Sequence, residues 1–125
     1  MNPDAETWRG RGWHAAESEG GIAFRWTSEP HAEVRFYIVR PETYLISLGL
    51  MPTADDPRGA LVLAVNGRNL ARAPEPDTWH LPAAALHRGS NTLSLDAPVV
   101  PAPAGDPRRL GLKVRSIVLH RQGGE

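Results

Sequence analysis

Two tryptophan-bearing stretches hold most of the chain's chemical content. Gly12-Trp13-His14 and Arg25-Trp26-Thr27 lie on either side of Glu17. The flat face of Trp13 could stack on the C–H surface of a pyranose. Glu17 and Arg25 could then bond the sugar hydroxyls as charged partners, which make the shorter and stronger hydrogen bonds. The same residues allow a structural reading. Glu17 and Arg25 pair with each other and pin the N-terminal segment to the first strand, while Trp26, in phase with Ile22 and Phe24, joins the core. Further on, Asp55 and Asp56 sit in a polar loop. They either turn the chain in solvent or hold a calcium ion with neighbouring loop oxygens. Trp13, Glu17, Arg25 and Asp55 are therefore the candidate ligand-binding residues.

Catalytic signatures are missing. The chain contains no G-x-S-x-G, H-E-x-x-H or P-loop. His14, His31, His80, His87 and His120 are scattered without metal-ligand spacing. Glycoside hydrolysis would need two of the loop carboxylates, among Glu17, Glu19, Asp55 and Asp56, held roughly 5 to 9 Å apart. No catalytic residue is assigned.

Composition narrows the classes further. The 125 residues suffice for one domain with its own core. Cysteine is absent, which excludes disulfides and thiolate sites. The 14 basic and 14 acidic residues cancel. Residues 1–62 have 6 Arg against 9 acids, and residues 63–125 have 8 basic against 5 acidic. Neither half makes a basic stripe, so nucleic acid is not an expected partner. No apolar run reaches membrane-spanning length, and the start of the chain has no apolar signal core. Cytoplasm is the default location, with the extracellular side left open.

The elements that must position these residues read as strands. Residues 60–65 form an apolar run that meets Asn66-Gly67, the pair that favours a two-residue hairpin turn. Leu61, Leu63 and Val65 face a core while Arg68 and Arg72 stay wet. Alternation marks strands over residues 22–27, 32–39, 43–51, 78–81 and 91–97. The second of these turns Val34, Phe36 and Ile38 inward and Glu33, Arg35 and Tyr37 outward. In residues 110–119 the apolar phase breaks at Arg115-Ser116, which predicts a β-bulge. Residues 82–87 are the one expected helical turn, with Pro82 at its start and Gly89 beyond its end. The twelve prolines punctuate short elements, and the proline-rich segment 98–107 reads as a loop. Residues 1–11 and 122–125 are expected to be partly flexible, with a tryptophan of the N-terminal stretch packed on the body. About eight antiparallel strands with one helical turn and no crossover helices predict an all-β, single-domain β-sandwich spanning residues 1–125.

The order of landmarks resembles the galactose-binding-like jelly-roll domains found as carbohydrate-binding modules and as accessory domains of bacterial glycosyltransferases and glycoside hydrolases. The resemblance lies in GWHAAESEGGIAFRWT (Gly12 to Thr27), LVLAVNGRNL (Leu61 to Leu70), TWHLPAAALHRGSNTLSL (Thr78 to Leu95) and RRLGLKVRSIVL (Arg108 to Leu119). It implies a non-catalytic module that recognises a polysaccharide or glycan, needs no cofactor beyond a possible structural calcium, and binds through loops at one end of the sandwich. Loops 12–19, 52–58 and 98–107 could serve. Two other classes follow from the same features. One is a structural subunit that self-associates or docks on a partner through the side bearing Tyr37 and Val39. The other is a small sugar-active enzyme.

Overall fold

The computed structural model describes residues 10–103 and 105–121. Within them the chain forms β1 (Glu17–Glu19), β2 (Ile22–Trp26), β3 (His31–Ile38), β4 (Tyr44–Leu50), β5 (Val62–Val65) and β6 (Arg68–Asn69). It continues with β7 (Thr78–Leu81), β8 (Gly89–Asp96), β9 (Val100–Pro101), β10 (Arg109–Leu110) and β11 (Lys113–Arg121). Every pairing is antiparallel. The expected fraying of 1–9 and 122–125, and any packing of Trp8, fall outside the described residues. The Arg11 carbonyl accepts from the Glu33 N–H at 2.8 Å.

The Asn66-Gly67 turn is the tip of the fold. Both residues adopt positive φ, 51° and 82°, as a type I′ hairpin requires. From that tip outward the chain pairs with itself in nested order: β5 with β6, β4 with β7, β3 with β8, and β2 with β11. These eight strands divide between two sheets, ordered β1-β2-β11-β4-β7 and β3-β8-β5-β6. A long hairpin wrapped in this way across two facing sheets is a jelly roll. The strands β1, β9 and β10 are short additions to it.

The core forms where the two inner faces meet. Val34, Phe36, Ile38, Leu63, Val65, Leu93 and Leu95 come from one sheet, and Ile46, Leu48, Trp79, Leu81, Val114 and Ile117 from the other. Trp79 is the largest of the fully buried side chains, at 1% exposure. The phase break in the last strand is a bulge: Val114 pairs with Leu50 and Ser116 with Gly49, leaving Arg115 as the extra residue. This lets Val114 and Ile117 both point inward. Gly49 faces the bulge, and a Cβ there would collide with Ser116 Oγ and crowd the Arg115 side chain.

The short helical turn expected near 82–87 is present, as a single 3₁₀ turn over Ala83–Ala85. Pro82 is extended, no side chain caps the turn, and so short a segment cannot offset the cost of helix nucleation. A second 3₁₀ turn, Arg58–Ala60, was not signalled by the sequence. One expectation needs correction: the segment 98–107 is not all loop, since Val100–Pro101 forms β9, paired only with β10. Proline is tolerated there because β9 is an edge strand. Among the described residues, no helix is long and apolar enough to cross a membrane.

Candidate functional site

The site begins with the orientation of β2. Arg25 lies opposite Val114, which is fully buried in the core, and Trp26 lies opposite Lys113. Cross-strand partners in an antiparallel pair share a face. Arg25 is therefore on the core side of the sheet, while Phe24 and Trp26 are on its outer side. Glu17, opposite Phe24, is on the outer side too. This corrects two expectations: Trp26 is not a core residue, and Glu17 and Arg25 are not placed to pair. Near the sandwich margin, hydrogen bonds rather than apolar packing close the inner side of the chain. Thr27 Oγ1 accepts from the buried Leu112 N–H at 2.8 Å.

A second apolar cluster thus builds on the outer face. The Phe24 and Trp26 rings meet edge to face, with centroids 6.4 Å apart. Lys113, the only lysine, lays its stem across both. Its ammonium is 4.3 Å from the Phe24 centroid and 5.5 Å from that of Trp26, and Glu19 accepts from it at 3.0 Å.

Beside this cluster lies an open cleft of about 90 Å³, at the end of the sandwich where β2 and β4 finish and β11 begins. One wall is Trp26. The others are Thr53 to Asp55 in the loop after β4, Val100 to Pro103, and Leu110-Gly111. Most of this lining is apolar, and its polar side chains are the Thr53 hydroxyl and the Asp55 carboxylate. Among the described residues, no hydrogen bond or ion pair engages the Asp55 carboxylate or the Trp26 indole N–H. Both polar groups are available at the rim of an apolar surface.

The β9–β10 wall is clamped by Arg108. Its guanidinium donates to Asp106 at 2.8 and 3.0 Å and to Glu17 at 2.6 Å, tying the flap to β1 across 91 residues of chain. The Asp106 hydrogen bonds, then those of Glu17, hold the Arg108 pKa above its ordinary value. The Arg108 side-chain and backbone bonds hold the Asp106 carboxyl below its usual range. Arg108→Leu is expected to raise amide hydrogen exchange over residues 99–110 roughly tenfold while exchange in β3, β5 and β8 stays unchanged. Equal protection in both proteins would show that the clamp is unnecessary.

Of the four residues singled out from the sequence, only Asp55 lines the cleft. Trp13 donates its indole N–H to the Glu33 carbonyl at 2.9 Å and packs on the core, so it straps the N-terminal segment across β3. Glu17 holds Arg108, and Arg25 is turned toward the core side. Trp26 and Thr53 complete the cleft in their place. Of the loops expected to serve, 52–58 and 98–107 do form its walls, but 12–19 does not. Among the described residues no group of three or more His, Asp or Glu is placed to hold a metal ion. Asp56, the other half of the acidic pair, accepts from the Arg58 backbone at 3.0 Å and from its Nε at 2.8 Å.

A separate polar cluster stands on the outer face of the other sheet. His31 Nδ1 lies 2.7 Å from Asp96 and its Nε2 lies 2.9 Å from Glu33. Only the imidazolium has two N–H donors to satisfy both. The Glu33 hydrogen bond first, then that of Asp96, raises the His31 pKa. A raised folded-state pKa stabilises the fold fully below the unfolded value, about 6.5, and that contribution disappears as pH climbs through the folded value. The Tm difference between the protein and His31→Asn is therefore expected to shrink from about pH 6 to pH 9. A constant difference over that range would contradict the assignment. The sequence offered one signal here: the i, i+2 spacing of His31 and Glu33 on a strand.

A scan against protein-family models finds none that matches the chain, and a search of curated proteins finds no match.

Proposed function

We propose that this protein is a non-catalytic carbohydrate-binding module of the galactose-binding-like kind, and that its sugar site is the cleft walled by Trp26. One observation carries this reading. A half-buried tryptophan lies on the outer face of a sheet, next to a hydroxyl and a carboxylate that no other described group engages. An apolar ring face with a few polar groups at its edge is the chemistry that a pyranose asks of its binder. The small, open cleft fits one face of a single sugar unit, at a chain end or on a side branch. Affinity is then modest, because exposed hydroxyl bonds exchange with water at little net gain. The cleft lining contains one carboxylate, Asp55, so it does not supply the carboxylate pair of a glycosidase.

A glycan-array screen of the purified protein, with and without calcium, tests the reading. A saturable signal on one sugar class is expected, and calcium dependence would place an ion at the loop oxygens. Silence across a broad array from folded protein would overturn it.

A further inference from the structure

The cleft at Trp26 has one charged side chain in its described lining, the Asp55 carboxylate. The cations of the surrounding segments are committed elsewhere. Arg58 is held by two carboxylates, Asp56 and Asp77, each at 2.8 Å. Arg108, beside the β9–β10 wall, is likewise held by Glu17 at 2.6 Å and Asp106 at 2.8 Å. Lys113 is paired with Glu19 at 3.0 Å, and its side chain is only 10% exposed. Each of these cations is matched or outnumbered by carboxylates, and none lines the cleft. Arg109, next to Leu110, is outside the lining too. Asp55 is the reverse case, a carboxylate that no described cation engages. Exposed charges more than roughly 8–10 Å apart are largely screened, so the carboxylate in the lining decides which ligand charge the site accepts. The indole points the same way, because the face of an aromatic ring is its negative side and attracts cations.

We propose, resting on the sugar reading above, that the cleft takes an amino sugar through its free ammonium group in preference to neutral and acidic sugars. A pyranose lying flat on Trp26 carries its equatorial groups around its edge, toward the polar rim formed by Thr53 and Asp55. An equatorial ammonium there donates to the Asp55 carboxylate as one unit charge to another. A hydroxyl in the same place donates without that attraction. N-acetylation removes the charge and adds bulk at an opening of about 90 Å³. A uronic acid brings a second carboxylate toward Asp55, with no cation in the described lining to offset it. An exposed ion pair and an exposed cation–aromatic contact are each modest, and together they give a preference of about fivefold to tenfold.

The test is a titration of the Trp26 indole N–H resonance with the methyl glycosides of glucosamine and galactosamine, at about pH 6, where the sugar amine is charged. The parent glucoside and galactoside and the two N-acetyl forms are titrated beside them. The better-bound amine is expected to bind about fivefold to tenfold tighter than its parent and its N-acetyl form. That advantage is expected to fall below about twofold in roughly 0.5 M salt. It is expected to fall below about twofold in Asp55→Asn as well. Asp55 is an exposed loop residue, and an unchanged circular dichroism melt would verify the fold of the variant. Parent sugars that bind at Trp26 as tightly as the amines would overturn the charge selection and leave the sugar site standing. So would an amine preference that persists in Asp55→Asn. No shift at Trp26 with any of these glycosides would overturn this inference and the sugar reading of the cleft together.

Discussion

Trp26→Ala is expected to reduce glycan binding about 70-fold, enough to remove a modest affinity from most assays. Stacking a sugar on the indole covers on the order of 100 Å² of apolar surface, which at about 25 cal/mol per Å² comes to roughly 2.5 kcal/mol, or close to 70-fold in Kd. The fold should lose less. Trp26 lies outside the inter-sheet core and forfeits mainly its contacts with Phe24 and Lys113, about 1–2 kcal/mol. Trp13→Ala is expected to do the opposite. It removes the indole bond to Glu33 and the packing of the strap on the core, about 2 kcal/mol of stability, and leaves the affinity of folded protein unchanged. Titration calorimetry and thermal melts on the two variants separate these outcomes. A binding loss in Trp13→Ala with none in Trp26→Ala would move the site to the other side of the sheet.

Asn91→Ala is expected to be the most destabilising single change considered. Asn91 is 1% exposed. Its Oδ1 accepts from Asn66 Nδ2 at 2.8 Å and from the His87 N–H at 3.0 Å. Its Nδ2 donates to the His87 and Gly89 carbonyls at 2.9 and 3.0 Å. Asn66 in turn donates to the Ala85 carbonyl at 2.9 Å and accepts from the Thr92 N–H at 3.0 Å. One amide thus joins the hairpin tip, the 3₁₀ turn and the start of β8. Truncating it removes four hydrogen bonds of one buried side chain at once and leaves partly buried partners unpaired, at about 3–4 kcal/mol. For a chain of this length that lowers Tm by roughly 10–20 °C. A Tm change under about 3 °C for the alanine variant would mean that water satisfies these groups instead.

What the sequence made legible was local. Asn66-Gly67 dictates its turn through the φ values those two residues tolerate, and the turn fixes the strands on either side. The bulge at Arg115 could be read because Val114 and Ile117 must both reach the core. The orientation of β2 could not, since Ile22, Phe24 and Trp26 alternate correctly for a strand whichever face is inward. Their side is set by pairing far along the chain, where Lys113 lies over Phe24 and Trp26 and the segment with Val100 to Pro103 and Leu110-Gly111 shares the cleft at Trp26. That segment is placed in turn by Arg108 reaching Glu17, a contact between distant residues that leaves no periodic trace. The position of Trp13 was hidden for the same reason, since its indole N–H reaches the carbonyl of Glu33, 20 residues away. Asp55, a loop aspartate with no arginine beside it, is engaged by no described group, unlike Asp56 with Arg58 two residues on.

The proposed sugar site has a definite location, at the end of the sandwich walled by Trp26. The most direct test is an amide and indole NMR titration of the isotope-labelled protein with the glycan that gives the array signal. Saturable shifts are expected at the Trp26 indole N–H, at Thr53 to Asp55 and at Val100, Ala102, Leu110 and Gly111, with Trp13 and Tyr37 unmoved. Shifts gathered instead around Tyr37, Arg40 and Tyr44 at the opposite end would contradict that location.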